Sequence, residues 1–389
     1  MKVLVWQWGR FGAGPRFAAC LADALRDRPG IEVTLSLCHE AEIMIGPAAP
    51  RCELPMRTYR GMVSFLVRFA TAPLALPFLW HRLRQIMPDL AICAMPGPLD
   101  LLMAIALRML GTRLVVVVHE ADAHQGDGFP MQMVLQRLLC RMAGGLVVLC
   151  GHVGTRLRGR RLAGGDRRPL IPFSHPPFGF DVPLTQRGDG PPRLLCFGRL
   201  LPYKGLDLLA AALASLPAEA AIEVRIVGSG PESQALDALR SCRGVTVENR
   251  WVPETEVGSL LAWSDALILP YREASQSGVA AAALAAGRPV IATCVGGLRE
   301  QLSDTPQAVV CEPNADSLAS AIRHWLEAPL QTVPRTDAAE AWRNESTRLL
   351  LAIGFALPQR TEPRRSSAGA VRSRAEQRLP SASSMLGRQ

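Results

Sequence analysis

The sequence predicts an α/β protein of two successive halves, each a parallel sheet covered by helices. Three observations predict it. Short apolar runs rich in Val, Leu and Ile alternate along the chain with longer stretches of helix formers, the order that builds parallel sheets. The clearest unit lies in the second half. Ala266 to Leu269, bounded by Asp265 and Pro270, reads as a buried strand, and Arg272 to Gly278 as a polar loop. Val279 to Ala286 then reads as a helix stopped at Gly287, and Pro289 to Thr293 as the next strand, leading into Gly296-Gly297. Finally, a polar stretch with glycine and proline, Pro183 to Pro192, separates two such series and reads as a linker. At 389 residues the chain is long enough for two domains and a large core.

Taken in order, Lys2 to Trp6 reads as a first buried strand, and its apolar part is too short for a signal-peptide core. A glycine-rich loop, Gly9 to Pro15, leads to a helix from Arg16 to Arg26 with Phe17, Leu21, Ala24 and Leu25 at helical spacing. Val33 to Leu37 is the next strand. Met62 to Leu83 is the most hydrophobic region, interrupted by Arg68, Pro73 and Pro77. Its apolar run from Arg68 to His81 is too short to span a bilayer. It reads either as a core helix, hydrophobic all round, or as an interfacial helix on a membrane surface with Arg57, Arg60, Arg68, Arg82 and Arg84. Asp89 to Cys93 is a strand, Leu99 to Leu110 a helix, and Arg113 to Val118 a β-branched strand. Leu146 to Leu149 is another strand, followed by Cys150-Gly151-His152, a helix, an arginine-rich loop and the Pro-rich, aromatic segment from Leu170 to Phe180.

Beyond the linker come a strand Arg193 to Phe197, a helix Leu206 to Leu216, and strands at Glu223 to Val227 and Val245 to Asn249. A short helix runs from Glu254 to Trp263 ahead of the unit described above. The domain closes with a strand at Ala308 to Cys311 and a helix from Asp316 to Glu327. The second domain so defined is 193–333. Ala338 to Leu351 is a further helix within 334–357. The segment 358–389, rich in Ser, Arg, Ala and Pro, is expected to be a disordered basic tail.

Composition narrows the function classes. The chain is 49% hydrophobic and 20% charged, as a globular protein is. Its net charge is +9, and the segment 358–389 holds seven arginines against two glutamates. Such a surplus suits anionic membranes or nucleotide phosphates. Aromatic residues are 5% with no base-stacking platform, so nucleic acid is not an expected partner. Ten cysteines are scattered singly without a CxxC pair and read as small buried hydrophobes in a reducing compartment, with no ligand spacing for a metal. Of 43 basic residues only Lys2 and Lys204 are lysines, so a lysine at 204 has a chemical reason.

The chemistry gathers in loops after strands. Strand C-terminal ends in open α/β sheets face the ligand crevice. After Val118 come His119, Glu120, Asp122 and His124, which could do acid–base work, bind a metal or hydrogen-bond a loop. Ser275-Gln276-Ser277-Gly278 and Gly296-Gly297 each precede a helix. Two helix N-termini converging on one crevice would hold a diphosphate. Gly198-Arg199, and five residues on Lys204-Gly205, open another helix; a guanidinium and an ammonium there can neutralise a diphosphate leaving group.

Together, Gly198-Arg199 with Lys204-Gly205, Leu269-Pro270-Tyr271, Glu273 to Gly278, Ala285 to Thr293 and Val295 to Leu298 resemble the donor half of family 4 (group 1) glycosyltransferases. The resemblance implies the GT-B architecture, two Rossmann-like domains facing across a cleft, with residues 1–182 on the acceptor side. It implies transfer of a sugar from a nucleotide diphosphate sugar to an acceptor hydroxyl, with retention at the anomeric carbon. His119, Arg199, Lys204 and Glu273 take the catalytic positions. Gly12, Gly14, Gly198, Gly228, Trp251, Val252, Ser275, Gln276, Ser277, Gly278, Gly296 and Gly297 hold the donor, with Trp251 and Val252 where relatives hold the base. Asp122 and His124 face the acceptor. No Asp-x-Asp metal motif is present and no cofactor is expected beyond the donor substrate. The family commonly has two glutamates here. Glu273 stands one residue outside the first position and Ala282 at the second, which fits a sub-branch with a Ser-Gln-Ser-Gly loop. The expected acceptor is a lipid-linked glycan of cell-surface polysaccharide synthesis, met at the cytoplasmic face of an anionic membrane. A nucleotide-sugar epimerase or a non-catalytic nucleotide-sugar-binding subunit of the same architecture is the alternative.

Overall fold

Two six-stranded sheets, with every neighbouring strand parallel, form the frame. The computed structural model describes residues 1–45, 48–122, 131–164, 168–180, 182, 190–217, 219–328 and 335–357. Most of the expected linker (183–189), His124 and the expected tail (358–389) lie outside the described residues.

The first sheet contains β1 (Lys2–Gln7), β2 (Glu32–Leu37), β3 (Leu90–Cys93), β4 (Arg113–Val118), β5 (Gly145–Val148) and β6 (Leu170–Pro172), in the order β2-β1-β3-β4-β5-β6. Alternation along β1 sends Val3 and Val5 to one face and Leu4 and Trp6 to the other. Helix α1 (Ala13–Arg26) covers the first face. The other face is covered by α2 (Met62–Ile86), α3 (Asp100–Met109), α4 (Gln132–Met142) and α5 (Gly151–Gly159).

The second sheet contains β7 (Arg193–Phe197), β8 (Glu223–Gly228), β9 (Val245–Asn249), β10 (Ala266–Leu269), β11 (Val290–Thr293) and β12 (Ala308–Cys311), in the order β12-β11-β10-β7-β8-β9. Its helices are α6 (Leu206–Ala214), α7 (Gln234–Ser241), α8 (Glu254–Trp263), α9 (Gly278–Ala285), α10 (Gly296–Leu302) and α11 (Ala315–Glu327). Ser233, Ser277 and Asn314 cap α7, α9 and α11 with side-chain oxygens. In each sheet the strand order reverses beside the first strand, between β1 and β3 and between β7 and β10. Crevices open at such switch points, at the strand C-termini.

The strands expected from the sequence are all present. The β6 strand, α4 and α7 are additions; β6 is three residues long and its apolar signal is cut off by the prolines that follow. A terminal helix, α12 (Ala338–Ala356), is held by the first half. Trp342, Leu349 and Ile353 join the core around Val3 and Phe17, and the Trp342 indole N–H donates to the Pro177 carbonyl (3.0 Å). Each such buried side chain contributes roughly 1.5–3 kcal/mol.

One of the two readings of Met62 to Leu83 fails. Pro73 and Pro77 do not break the segment; both sit inside one continuous α2 helix on its exposed side. Only Leu79 and Leu83 of α2 are buried, so it is not a core helix.

Candidate functional site in the cleft

Two loops from β7 and β8 interlock at the second switch point. The Gly198 N–H donates to the Val227 carbonyl (3.0 Å) and Leu200 N–H to Ser229 (2.9 Å). A Cβ at Gly228 would lie 1.6 Å from the Gly198 oxygen, so glycine at 228 is required by the loop-on-loop approach itself.

Beyond Gly198, exposed Arg199 donates to the Tyr203 hydroxyl (3.0 Å). A short 3₁₀ turn, Pro202–Lys204, then ends at Gly205, where α6 begins. The Lys204 ammonium stands 3.6 Å from the centre of the Tyr271 ring and 5.0 Å from that of Tyr203. Among the described residues no carboxylate forms an ion pair with it. Burial pushes its pKa down, and Arg199 adds to the shift; Glu120, reaching from the other half, opposes it. A half-buried ammonium with a second cation beside it and aromatic walls around it is a site for an anion.

The loop after β10 completes this corner. Arg272 N–H donates to the Tyr203 carbonyl (2.8 Å), with the Glu273 N–H on the same oxygen (3.4 Å). This places exposed Glu273 next to Lys204. Glu273 is not the cap of α9: Ser277 is, accepting from Ala280 N–H (3.1 Å). Gln301 holds both the N–H and the carbonyl of Ser277 (3.0 Å each). Gln276 carries a buried side-chain oxygen with no hydrogen-bond partner among the described residues. Gly278 is the first residue of α9. Gly296 and Gly297 open α10, and there the close approach comes from within the chain. A Cβ at Gly297 would lie 1.9 Å from the Ser275 oxygen and 2.6 Å from the Cys150 sulfur. These glycines let the Ser275 loop settle onto α10.

On the opposing side, the glycine-rich loop wraps the buried Gln7 amide, whose oxygen accepts from Gly9 N–H (2.8 Å). Gly14 packs against that amide, and Gly12 starts α1 in a left-handed conformation (φ 81°). At the end of β4, His119 Nε2 lies 2.8 Å from the Ala94 carbonyl. A carbonyl only accepts, so Nε2 carries the proton. Burial, with His175 nearby, holds the imidazole pKa down at about 3, so the ring is neutral and its Nδ1 is an acceptor. Asp122 is drawn into ion pairs with Arg156 (2.8 Å) and Arg160.

The halves meet at several points. The Glu300 carboxylate of α10 accepts from Gly151 N–H (2.7 Å) and His152 N–H (2.9 Å), capping α5 of the other half. Cys150 Sγ donates to the Ser275 carbonyl (2.9 Å). Trp251 meets Phe11 edge-on at 5.8 Å and donates to Glu42 (3.3 Å), and Arg16 pairs with Glu254 (3.3 Å). Val252 is partly buried and packs against the core cluster that contains Leu261 and Leu267. Sequence reasoning missed Glu300, Phe11 and Glu42. Tyr203 and Tyr271 were legible as neighbours of named residues, but Glu300 acts across 149 residues and left no local signal. Among the described residues no three His, Cys, Asp or Glu side chains gather to hold a metal ion.

Residues 191–328 match the family model of glycosyl transferases group 1. The 2-deoxystreptamine glucosyltransferase of Streptomyces kanamyceticus is 25% identical over 334 residues, covering 78% of this chain and 85% of that protein. The glycogen synthase of Mycobacterium tuberculosis is 34% identical over 169 residues, covering 42% of this chain and 40% of that protein. The structure of Anabaena HepE in complex with UDP superposes with a TM-score of 0.62 at 17% identity, over 91% of this chain and 95% of that one.

Proposed function

We propose that this chain, which carries a group 1 glycosyl transferase domain on a GT-B fold, moves a sugar from a nucleotide diphosphate sugar to an acceptor hydroxyl with retention at the anomeric carbon. The observation that carries the reading is Lys204: an ammonium between two tyrosine rings, beside Arg199, without a carboxylate partner among the described residues. In the transfer step the bond from the anomeric carbon to the diphosphate breaks and its electron pair goes to a phosphate oxygen. Lys204 and Arg199 meet that growing charge, the task that a metal ion performs elsewhere, so the reaction is read as metal-independent. Glu273, beside this pair, accepts hydrogen bonds from sugar hydroxyls. Gln276 has an oxygen that seeks a donor, and with the Ser-Gln-Ser-Gly loop it takes over from the glutamate that Ala282 replaces. The neutral His119 accepts from the transferred sugar. UDP bound in a similar fold supports a nucleoside diphosphate as the donor's leaving group. The acceptor is a lipid-linked glycan and the enzyme works at the cytoplasmic face of a membrane.

The test is a thermal-shift screen of the purified protein against a panel of nucleotide sugars, followed by product analysis. A ligand that binds the native state alone raises the melting temperature by mass action, about 2.7 kcal/mol at a hundredfold excess over Kd. Protection by one nucleotide sugar, with free nucleoside diphosphate released only when acceptor lipid is added, is the expected result. Release of an altered sugar without acceptor would make the protein an epimerase. Protection without turnover would make it a binding subunit.

A further inference from the structure

The α2 helix is amphipathic the wrong way round for a soluble helix. Its buried contacts are Leu79 and Leu83, packed toward α3. Its outward stripe is apolar: Val63 is 77% exposed, Val67 56%, Leu74 80% and Phe78 63%. At about 100° per residue these four fall within about 60° of one another, with the two buried leucines on the opposite side. Leu66 flanks the stripe on one side, and Met62 at the helix start is exposed as well.

Along α2 and the two helices beside it, exposed charge has one sign. The three adjacent helices α2, α3 and α4 carry Arg68, Arg82, Arg84, Arg108, Arg137 and Arg141, all exposed. Their one carboxylate, Asp100, is fully buried. Met109 of α3 and Val134 of α4 add further exposed apolar groups. An apolar stripe set in an arginine field without exposed carboxylates fits the boundary between acyl chains and anionic headgroups.

We propose that the α2–α4 face is a membrane-docking surface that lays α2 into an anionic lipid leaflet. The start of α2 lies next to the cleft: Arg10 of the glycine-rich loop donates to the carbonyl of Arg60 (3.3 Å), just ahead of Met62. Docking on this face brings the cleft edge to the lipid surface. The surface argument stands on α2–α4 alone; only its purpose, delivery of a lipid-borne acceptor, rests on the glycosyl-transfer reading above.

Co-sedimentation of the full chain with vesicles tests it, using phosphatidylcholine alone and phosphatidylcholine mixed with phosphatidylglycerol. Binding should favour the anionic vesicles and weaken as salt rises. Arg82→Glu should weaken binding to anionic vesicles by about fivefold or more. Val67→Asp with Leu74→Asp should lower binding by about tenfold or more. Both sets are exposed, so melting temperature and protection by nucleoside diphosphate should match wild type. Folded wild type that ignores both vesicles overturns the proposal, and so does binding unchanged by the aspartates. A wild-type dimer in solution that the aspartates convert to monomer, without vesicle binding, assigns the face to a second copy instead. Because nucleoside diphosphate protection is read on the same samples without lipid, failure of docking is distinguishable from failure of the transfer reading.

Discussion

Replacing Lys204 with Met separates a structural ammonium from an anion-binding one. Met keeps most of the unbranched stem and its contact with Tyr203 and Tyr271 while removing the charge. Two ammonium–ring contacts, at 3.6 and 5.0 Å, contribute about 0.5–2 kcal/mol each to the charged form. Against this stands the cost of a desolvated ammonium without an ion-pair partner among the described residues, on the order of several kcal/mol for a fully buried ion even after relaxation. The downward pKa shift says that desolvation wins. The charge therefore destabilises the unliganded protein, and Lys204→Met should melt at an equal or higher temperature, by a few degrees for about 1 kcal/mol. The pH dependence follows. A lysine whose folded pKa lies below its unfolded value of 10.5 burdens the native state fully below the folded pKa. The burden is relieved as pH rises toward 10.5, since the unfolded chain then binds more protons than the native one. Wild-type stability should gain from this group over that alkaline window, and the Met variant should not. Turnover should fall by on the order of a hundredfold, the loss of one preorganised charge-stabilising donor. Differential scanning fluorimetry with and without nucleoside diphosphate, together with steady-state kinetics, measures all of this. A Met variant that melts lower yet keeps full nucleoside diphosphate protection and turnover would refute the argument and leave Lys204 as a cation–π pin.

Two further outcomes are expected. Glu300→Gln keeps the shape but weakens the cross-cleft cap on α5, so it should cost about 1 kcal/mol, and small-angle scattering should show a more open particle; an unchanged profile counts against Glu300 as a tie between the halves. Burial holds His175 down at about 4 and, with His175 beside it, His119 at about 3, both below the free value of 6.5. The unfolded chain therefore takes up protons that the native one refuses, and stability present above pH 6.5 is lost as pH falls through that window. His175→Phe should flatten part of this loss in a pH series of melting temperatures, and an unaltered slope would exclude His175 as a source.

Much of this protein was legible in the order of its residues. Apolar runs such as Ala266 to Leu269 and Val290 to Thr293 are buried on both faces, so local hydrophobicity and flanking Gly and Pro suffice to mark them as parallel strands. The glycine–arginine and lysine–glycine pair could be read because its chemistry lies within a few residues of one strand end. Other features depended on tertiary structure, because their partners are distant in sequence. Whether α2 is core or surface is settled by what covers it, and apolar composition is the same in either case; only packing against α3 shows that its apolar stripe faces outward. The glycines at 228 and 297 read as ligand approaches, whereas the described contacts put chain backbone there, the Gly198 and Ser275 carbonyls. His119 was visible as a strand-end histidine, but its neutral state follows from burial beside His175, and its tautomer from the hydrogen bond to Ala94. Glu300 lay unmarked beside a helix start, and its role as the cap of α5 exists only once the two halves face each other. A sequence carries local propensity and chemistry residue by residue, whereas desolvation and pairing arise from which distant segments the fold brings into contact.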